Sequence, residues 1–205
     1  MFTGLIQGLG QIKKTGAIGS SMGDAGARWI ISIPLAPPKI GASIAINGVC
    51  STVVTCKNGD TTGITVDYLP ETLKKTTFNQ LTEGDYVNVE PALKYGDEIG
   101  GHLMTGHIDT TGNITDIENQ GEFHRLRISY PPAFSKYLIS KGSIAIEGIS
   151  LTVVMDDEIS QQSHFDVHII PHTWKHTNLQ YLSIGNAVNL EFDQAGKYAV
   201  RQKMV

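Results

Sequence analysis

The stretch Ser43–Val54, SIAINGVCSTVV, is written a second time one hundred residues later as Ser143–Val154, SIAIEGISLTVV, with eight of twelve positions identical. A repeat at fixed offset constrains the architecture before any other feature does. Two further blocks repeat at nearly the same spacing, 102 and 101 residues. Phe2–Ile12 matches Met104–Ile114 at five of eleven positions, and Val66–Glu90 matches Val167–Glu191 at ten of twenty-five. Together they give 23 identities over 48 positions, where unrelated segments of average composition would give roughly three. The 205 residues therefore divide into two copies of one small domain, each long enough to bury its own core.

Each copy reads as five or six short β-rich segments with turn signals and almost no helical period, the pattern of a small antiparallel barrel or sandwich. Closing the sheet removes exposed edges, so a barrel is favoured. Each lead segment enters a strand through a Thr-Gly turn, and each repeated block of twelve reads as the central strand of its copy. Residues 13–28 are rich in Gly, Ser and Ala and read as a loop insertion. Strands are expected over Arg28–Pro34 and Glu122–Ser129, ended by Pro37-Pro38 and Pro131-Pro132. Ala133–Lys141 reads as one or two helical turns, and turns are expected at Lys57–Asp60 and Met155–Ile159. The expected division is residues 1–97, 98–193 and a C-terminal helix within 194–205 of about nine residues.

Composition narrows the function classes. A net charge of -4 leaves no basic footprint for nucleic acid. No apolar run approaches the roughly 20 residues that span a bilayer. The N-terminal Met-Phe-Thr-Gly-Leu-Ile lacks the character of a signal peptide and belongs to the repeat. Cys50 and Cys56, on one strand, would lie about 20 Å apart, too far for a disulfide. Two free thiols fit a reducing cytosol.

Several residues could carry chemistry. Cys50 aligns with Ser150, so both copies offer a small nucleophilic or hydrogen-bonding group at one structural point; the bland alternative is a buried apolar thiol. Thr52/Thr152 and Thr72/Thr173 repeat as well, which suggests that each copy binds a similar small polar ligand. The string Gly100–His107, GGHLMTGH, allows close backbone approach and carries two imidazoles able to act near neutral pH, or else is a plain junction turn. His168, His172 and His176 have the spacing of a metal-binding helix face, but Pro171 in their midst argues against that helix. Lys141, Glu147 and Asp193, taken singly, read as solvated surface.

Met1–Gly4, Asn47–Cys50, Gly100–His107, Glu147–Thr152 and Ile170-Pro171, in this order, resemble riboflavin synthases of the trimeric alpha-chain type, over essentially the whole chain. The resemblance implies two tandem six-stranded Greek-key barrels and a C-terminal trimerisation helix. It implies dismutation of two molecules of 6,7-dimethyl-8-ribityllumazine by transfer of a four-carbon unit, giving riboflavin and 5-amino-6-(ribitylamino)uracil. The N-terminal barrel of one chain would face the C-terminal barrel of a neighbour, with no metal or redox cofactor, in the cytoplasm. An association with lumazine synthase is compatible with it.

Carried over residue by residue, the resemblance places Gly4, Leu5, Ile6, Cys50, Ser51, Thr52, Asp67, Tyr68, Leu69, Pro70, Glu71, Thr72, Gly106, His107 and Ile108 around the first barrel's pocket. Lys141, Ile149, Ser150, Leu151, His168, Ile169, Ile170, Pro171, His172 and Thr173 would line the second. Cys50, His102, Ser150, Thr152 and Asp193 match positions implicated in catalysis. Ser51 departs from the usual leucine, Glu147 from a frequent aspartate and His172 from an expected glutamate. The insertion near residues 16–27 is also unusual, and the C-terminal helix is short. Two rival readings are a non-catalytic lumazine protein and a flavin-dependent reductase. The first would have a degraded Gly-Gly-His string and Ser-Leu-Thr block. The second would need a Gly-rich dinucleotide-binding unit that this sequence lacks.

Overall fold

The computed structural model describes residues 1–19, 25–59, 61–155 and 163–202. Six strands of the first repeat are β1 (Gly8–Ile18), β2 (Gly26–Ile33), β3 (Ser43–Ile46), β4 (Val49–Lys57), β5 (Thr62–Tyr68) and β6 (Tyr86–Pro91). They close into an antiparallel barrel in the order β1-β2-β5-β4-β3-β6, with β2 to β5 forming a Greek key. The second repeat supplies β7 (Thr110–Gln120), β8 (Phe123–Ser129), β9 (Ser143–Ile146), β10 (Ile149–Thr152), β11 (His164–Ile169) and β12 (Ala187–Phe192). These make a six-stranded sheet in the same cyclic order, β10-β9-β12-β7-β8-β11. Its end strands meet at one antiparallel bridge, Val154 with Asp166. The fold is all-β.

Alternation along the strands fills the two cores. Thr62, Ile64, Val66 and Tyr68 of β5 turn inward while the residues between them are half-buried, as a period of two requires. The first core holds a Trp29–Tyr68–Phe78 aromatic cluster. The second stacks Phe134 on Phe192 beside Tyr137.

Several expectations meet the structure here. Each repeated block of twelve is a hairpin and not one strand, because Asn47 (φ 45°) and Gly48 (φ 81°), like Glu147 (φ 51°) and Gly148 (φ 78°), adopt the left-handed conformation of a tight two-residue turn. Much of the loop expected at 13–28 is ladder, since Thr15, Ala17 and Ile18 pair with Trp29, Ala27 and Gly26; a hairpin arm away from the core loses its apolar period. The helical turns expected over Ala133–Lys141 are present as a 3-10 segment at Pro132–Tyr137. Two short helices were not anticipated: α1 (Pro70–Lys75) and α2 (Pro171–His176), each started by its proline. The turn expected at Met155–Ile159 lies, beyond Met155, outside the described residues. The C-terminal helix α3 (Gln194–Gln202) has nine residues and is tied to the second sheet by the Lys197–Asp109 ion pair at 2.6 Å.

The repeats are joined by an approximate two-fold of hydrogen bonds. Asn88 donates its amide to the Glu147 carbonyl at 2.9 Å, and its counterpart Asn189 donates to the Asn47 carbonyl at 3.1 Å. The Asn178 backbone N–H donates to Asn88 Oδ1 at 2.7 Å, and the Thr77 N–H to Asn189 Oδ1 at 2.8 Å. Glu147 is therefore not solvated surface: it is 2% exposed. Its two carboxyl oxygens accept from Asn189 N–H at 2.6 Å and the Asn178 amide at 2.9 Å. Asn47 occupies the equivalent place in the first repeat and accepts from Asn88 N–H at 2.7 Å.

Burial pushes the Glu147 carboxyl up from its ordinary 4.5 to about 7, against the pull of those donors. The folded chain thus keeps a proton that the unfolded chain releases. Stability from this group is full below about pH 4.5, declines as pH rises through the window to about 7, and is level above it. The loss amounts to about 3 kcal/mol. Urea unfolding across that window should show the slope in the parent protein, and Glu147→Gln should flatten it.

Candidate active site

The two lead segments exchange places. Phe2 and Met104 pair with each other, N–H to carbonyl in both directions, at 2.9 and 3.0 Å. Beyond that bridge each segment lies on the other repeat. Cys50 N–H, on β4, donates to the Gly106 carbonyl at 2.8 Å, and Ser150 N–H, on β10, donates to the Gly4 carbonyl at 3.0 Å. The approach is too close for a side chain: a Cβ on Gly106 would stand 2.7 Å from Cys50 Cβ, and one on Gly4 would stand 2.5 Å from Ser150 N. Ile6 packs on the second core and Ile108 on the first.

A cleft of about 300 Å³ results on the first barrel, lined by Val49, Cys50, Leu69, Glu71, Thr72, Lys75 and Thr76 from one repeat and Gly106, His107 and Ile108 from the other. Its floor is β4, and its wall is α1, held by the Glu71–Lys75 ion pair at 2.9 Å. On the second barrel Gly4 lies against Ser150 and Ile6 against the core. The expected grouping of Gly4–Ile6 with the first pocket is thereby corrected, because the exchange carries them across. A roomier groove of about 550 Å³ beside Pro37, Pro38 and Ile44 has no such convergence of repeated polar groups.

His102 and Ser150 come together, Nδ1 to Oγ at 2.7 Å. His102 Nε2 is buried and has no hydrogen-bond partner among the described residues. Burial holds the imidazole below its ordinary range, opposed by the nearby charges of Asp193 and Glu191. A neutral imidazole bonded to a hydroxyl can take up its proton. Asp193 also caps α3, accepting from Ala195 N–H at 2.9 Å. Thr152 lies two residues beyond Ser150 on the same outward face, as Thr52 does beyond Cys50. Cys50 and Cys56 are both free thiols on β4.

Other expected site residues stand apart. The Ser51 side chain points inward and shares a 2.9 Å hydrogen bond with Tyr68, whose hydroxyl burial holds well above its usual range. Ile149 and Ile169 are core residues, and Leu151 packs against the second core. Asp67 is occupied by a two-pronged ion pair with Arg28 at 2.7 and 2.6 Å. His168 is on β11, whereas His172 and His176 stack on α2 with centroids 4.2 Å apart; no one helix carries all three, as Pro171 implied, since it begins α2. Leu69 and Ile170, 71% and 53% exposed, immediately precede α1 and α2, where they can cover a ligand.

The Lumazine binding domain matches residues 3–92 and again residues 105–193. A riboflavin synthase from Actinobacillus pleuropneumoniae is 41% identical over 202 residues, covering 97% of this chain and 87% of that protein. Those of Bacillus subtilis (strain 168) and Mycobacterium tuberculosis (strain CDC 1551 / Oshkosh) are 37% and 38% identical, covering 98% of this chain and 89% and 97% of theirs. The chain belongs to the riboflavin synthase family. Among solved structures it is similar to LumP complexed with 6,7-dimethyl-8-(1'-D-ribityl) lumazine, at 26% identity and TM-score 0.76. That match covers 94% of this chain and 99% of that one. The LumP complex with riboflavin gives the same identity and coverage with TM-score 0.78.

Two site-forming residues of this family member escaped the sequence reading. Glu90 and Glu191 hold the exchanged segments by their backbone. The signal was present in Val-Asn-x-Glu, repeated at Val87–Glu90 and Val188–Glu191, which puts polar residues in otherwise apolar strands.

Lys141 has φ 66°, where the first repeat has Gly41 at φ 82°. Both N–H groups make the same bond, to Val153 O and Val53 O at 2.8 Å. A side chain held in the left-handed region costs about 1 kcal/mol. Lys141→Gly should therefore raise stability by about that amount in denaturant unfolding.

Proposed function

We propose that this chain is a riboflavin synthase. It takes two molecules of 6,7-dimethyl-8-ribityllumazine, moves a four-carbon unit from one to the other, and releases riboflavin and 5-amino-6-(ribitylamino)uracil. Four curated riboflavin synthases over nearly the full chain support the reading, as does the twice-matched lumazine-binding domain. The observation that carries it is the cleft at Cys50, built by both repeats, together with the same backbone contact at the counterpart position, Ser150. A dismutation needs two places for one substrate and a difference between them to make one molecule donor and the other acceptor. Because both products come from the same two molecules, atoms and electrons balance without an external oxidant.

In this reading the pocket backbone meets the pyrimidinedione edge, and Thr72, Thr173 and Lys141 reach toward the ribityl chains. Cys50, His102, Ser150, Thr152 and Asp193 share the removal of a proton from the C7 methyl group, nucleophilic addition to the second ring and the proton movements of fragmentation. Stacking two rings between a first barrel and a second barrel makes their encounter effectively unimolecular. The chains assemble as trimers through α3, which is too short to be stable unpartnered and leaves Tyr198 70% exposed. The domains are then residues 1–97, 98–193 and the trimerisation helix of 194–205. The protein works in the cytoplasm, in keeping with two free thiols and with no described helix long and apolar enough to cross a membrane.

The likeness to LumP favours a second reading, a binder that holds the lumazine without reacting. Mixing purified protein with the lumazine separates the two, since riboflavin absorbance grows only with the enzyme. A thiol ionises far more readily than a hydroxyl, so Cys50→Ser should bind normally yet lose about tenfold or more in turnover, about 1.4 kcal/mol of transition-state stabilisation. Wild-type turnover in that variant would make Cys50 a packing residue. Deleting the residues beyond Asp193 should shift sedimentation from trimers toward monomers and depress turnover; an active trimer without them would remove α3 from the assembly.

A further inference from the structure

We propose that Glu90 and Glu191 are positioning residues that act across the barrels, each fixing the segment that completes the other barrel's pocket. The inference rests on the ligand-binding reading above and adds residues to it. Glu90, on β6 of the first barrel, is 4% exposed. Its Oε1 accepts from Thr3 N–H at 2.7 Å and Thr3 Oγ1 at 3.0 Å, and its Oε2 from Gly4 N–H at 3.1 Å. Glu191, on β12, is 1% exposed and repeats the pattern on Thr105 N–H, Thr105 Oγ1 and Gly106 N–H at 2.7, 2.7 and 2.9 Å.

A buried carboxylate is costly unless hydrogen-bonded, and here each has three donors from one two-residue stretch. Charge-assisted bonds to both oxygens fix that stretch in distance and rotation together. The carbonyls so fixed are those of Gly4 and Gly106, which accept from Ser150 and Cys50 in the opposite barrel. The three residues after Thr105 are walls of the Cys50 cleft. Glu191 of the second barrel thus sets the first pocket, and Glu90 of the first barrel sets the second. A general stabilising role would spread its effect over both pockets or leave it in the barrel that carries the glutamate. A clamp crosses over.

Glu90→Gln and Glu191→Gln keep the volume but turn one acceptor into a donor facing an N–H. Riboflavin is titrated into 15N-labelled protein while the Cys50 and Ser150 amide signals are followed. Glu191→Gln should weaken the Cys50 response about tenfold and change the Ser150 response less than twofold, with Glu90→Gln giving the reverse. Effects equal at both amides, confined to the glutamate's own barrel, or absent would overturn the proposal. Thr3→Val and Thr105→Val remove one of three bonds and should show the same crossing at smaller size should a glutamine variant fail to fold. Amide exchange of the ligand-free proteins separates this proposal from the ligand assignment. Glu191→Gln should speed exchange at Cys50 about tenfold while sparing Ser150, whether or not the parent responds to riboflavin, and unchanged exchange at Cys50 would sink the clamp.

Discussion

The contact on which the rest depends is backbone against backbone at the turn of each repeated hairpin. A Cβ on Gly48 would lie 2.8 Å from Gly148 N, and one on Gly148 would lie 2.5 Å from Gly48 N. Only glycines meet so closely, and their meeting brings the ring of Asn47, Asn88, Glu147, Asn178 and Asn189 to hydrogen-bonding distance. Asn88 and Asn189 are fully buried, and each sends its amide to the other repeat. Separating the barrels would exchange these bonds for water at a net cost of about 0.5–1.5 kcal/mol apiece.

Once joined that way, the barrels can trade their lead segments at little cost. Phe2 and Met104 are buried against each other and against Ala45 and Ala145, an apolar plug beside the polar ring. The trade makes each pocket a product of both repeats. It explains why Glu90 and Glu191, the Thr-Gly pairs, and Asn88 and Asn189 are kept in both copies: each maintains a contact that exists twice.

The repeat, the β class and the strands ahead of the two proline pairs, β2 and β8, were legible because period-two burial writes itself into apolar residues such as Trp29, Ile31, Leu126 and Ile128. The hairpin inside the repeated block was legible too, in Asn47-Gly48, the strongest two-residue turn signal; the identity of the surrounding apolar residues masked it. The long β1–β2 arm left no mark, since strand pairing there is made by backbone groups that any side chain permits. The exchange of Gly4–Ile6 and Gly106–Ile108 could not be read by comparing the copies, because the trade is symmetric and alignment is blind to which copy a segment lies on. Glu147 escaped for a different reason. A charged residue is ordinarily exposed, and its burial depends on partners from three other strands and turns.

The differences between the copies fall into two kinds. Inside the barrels they compensate: Ser51 gives Tyr68 the hydrogen bond that a buried phenol needs, while the second copy puts Leu151 and Ile169 in the same two places and needs none. At the pockets they do not compensate. Cys50 has no partner change that restores a hydroxyl, and Lys141 accepts a backbone strain that Gly41 avoids. Uncompensated differences persist where the difference itself is useful, as strain does at functional sites. Shared residues build the frame twice; the unshared ones, Cys50 against Ser150 and Gly41 against Lys141, are where the two copies part.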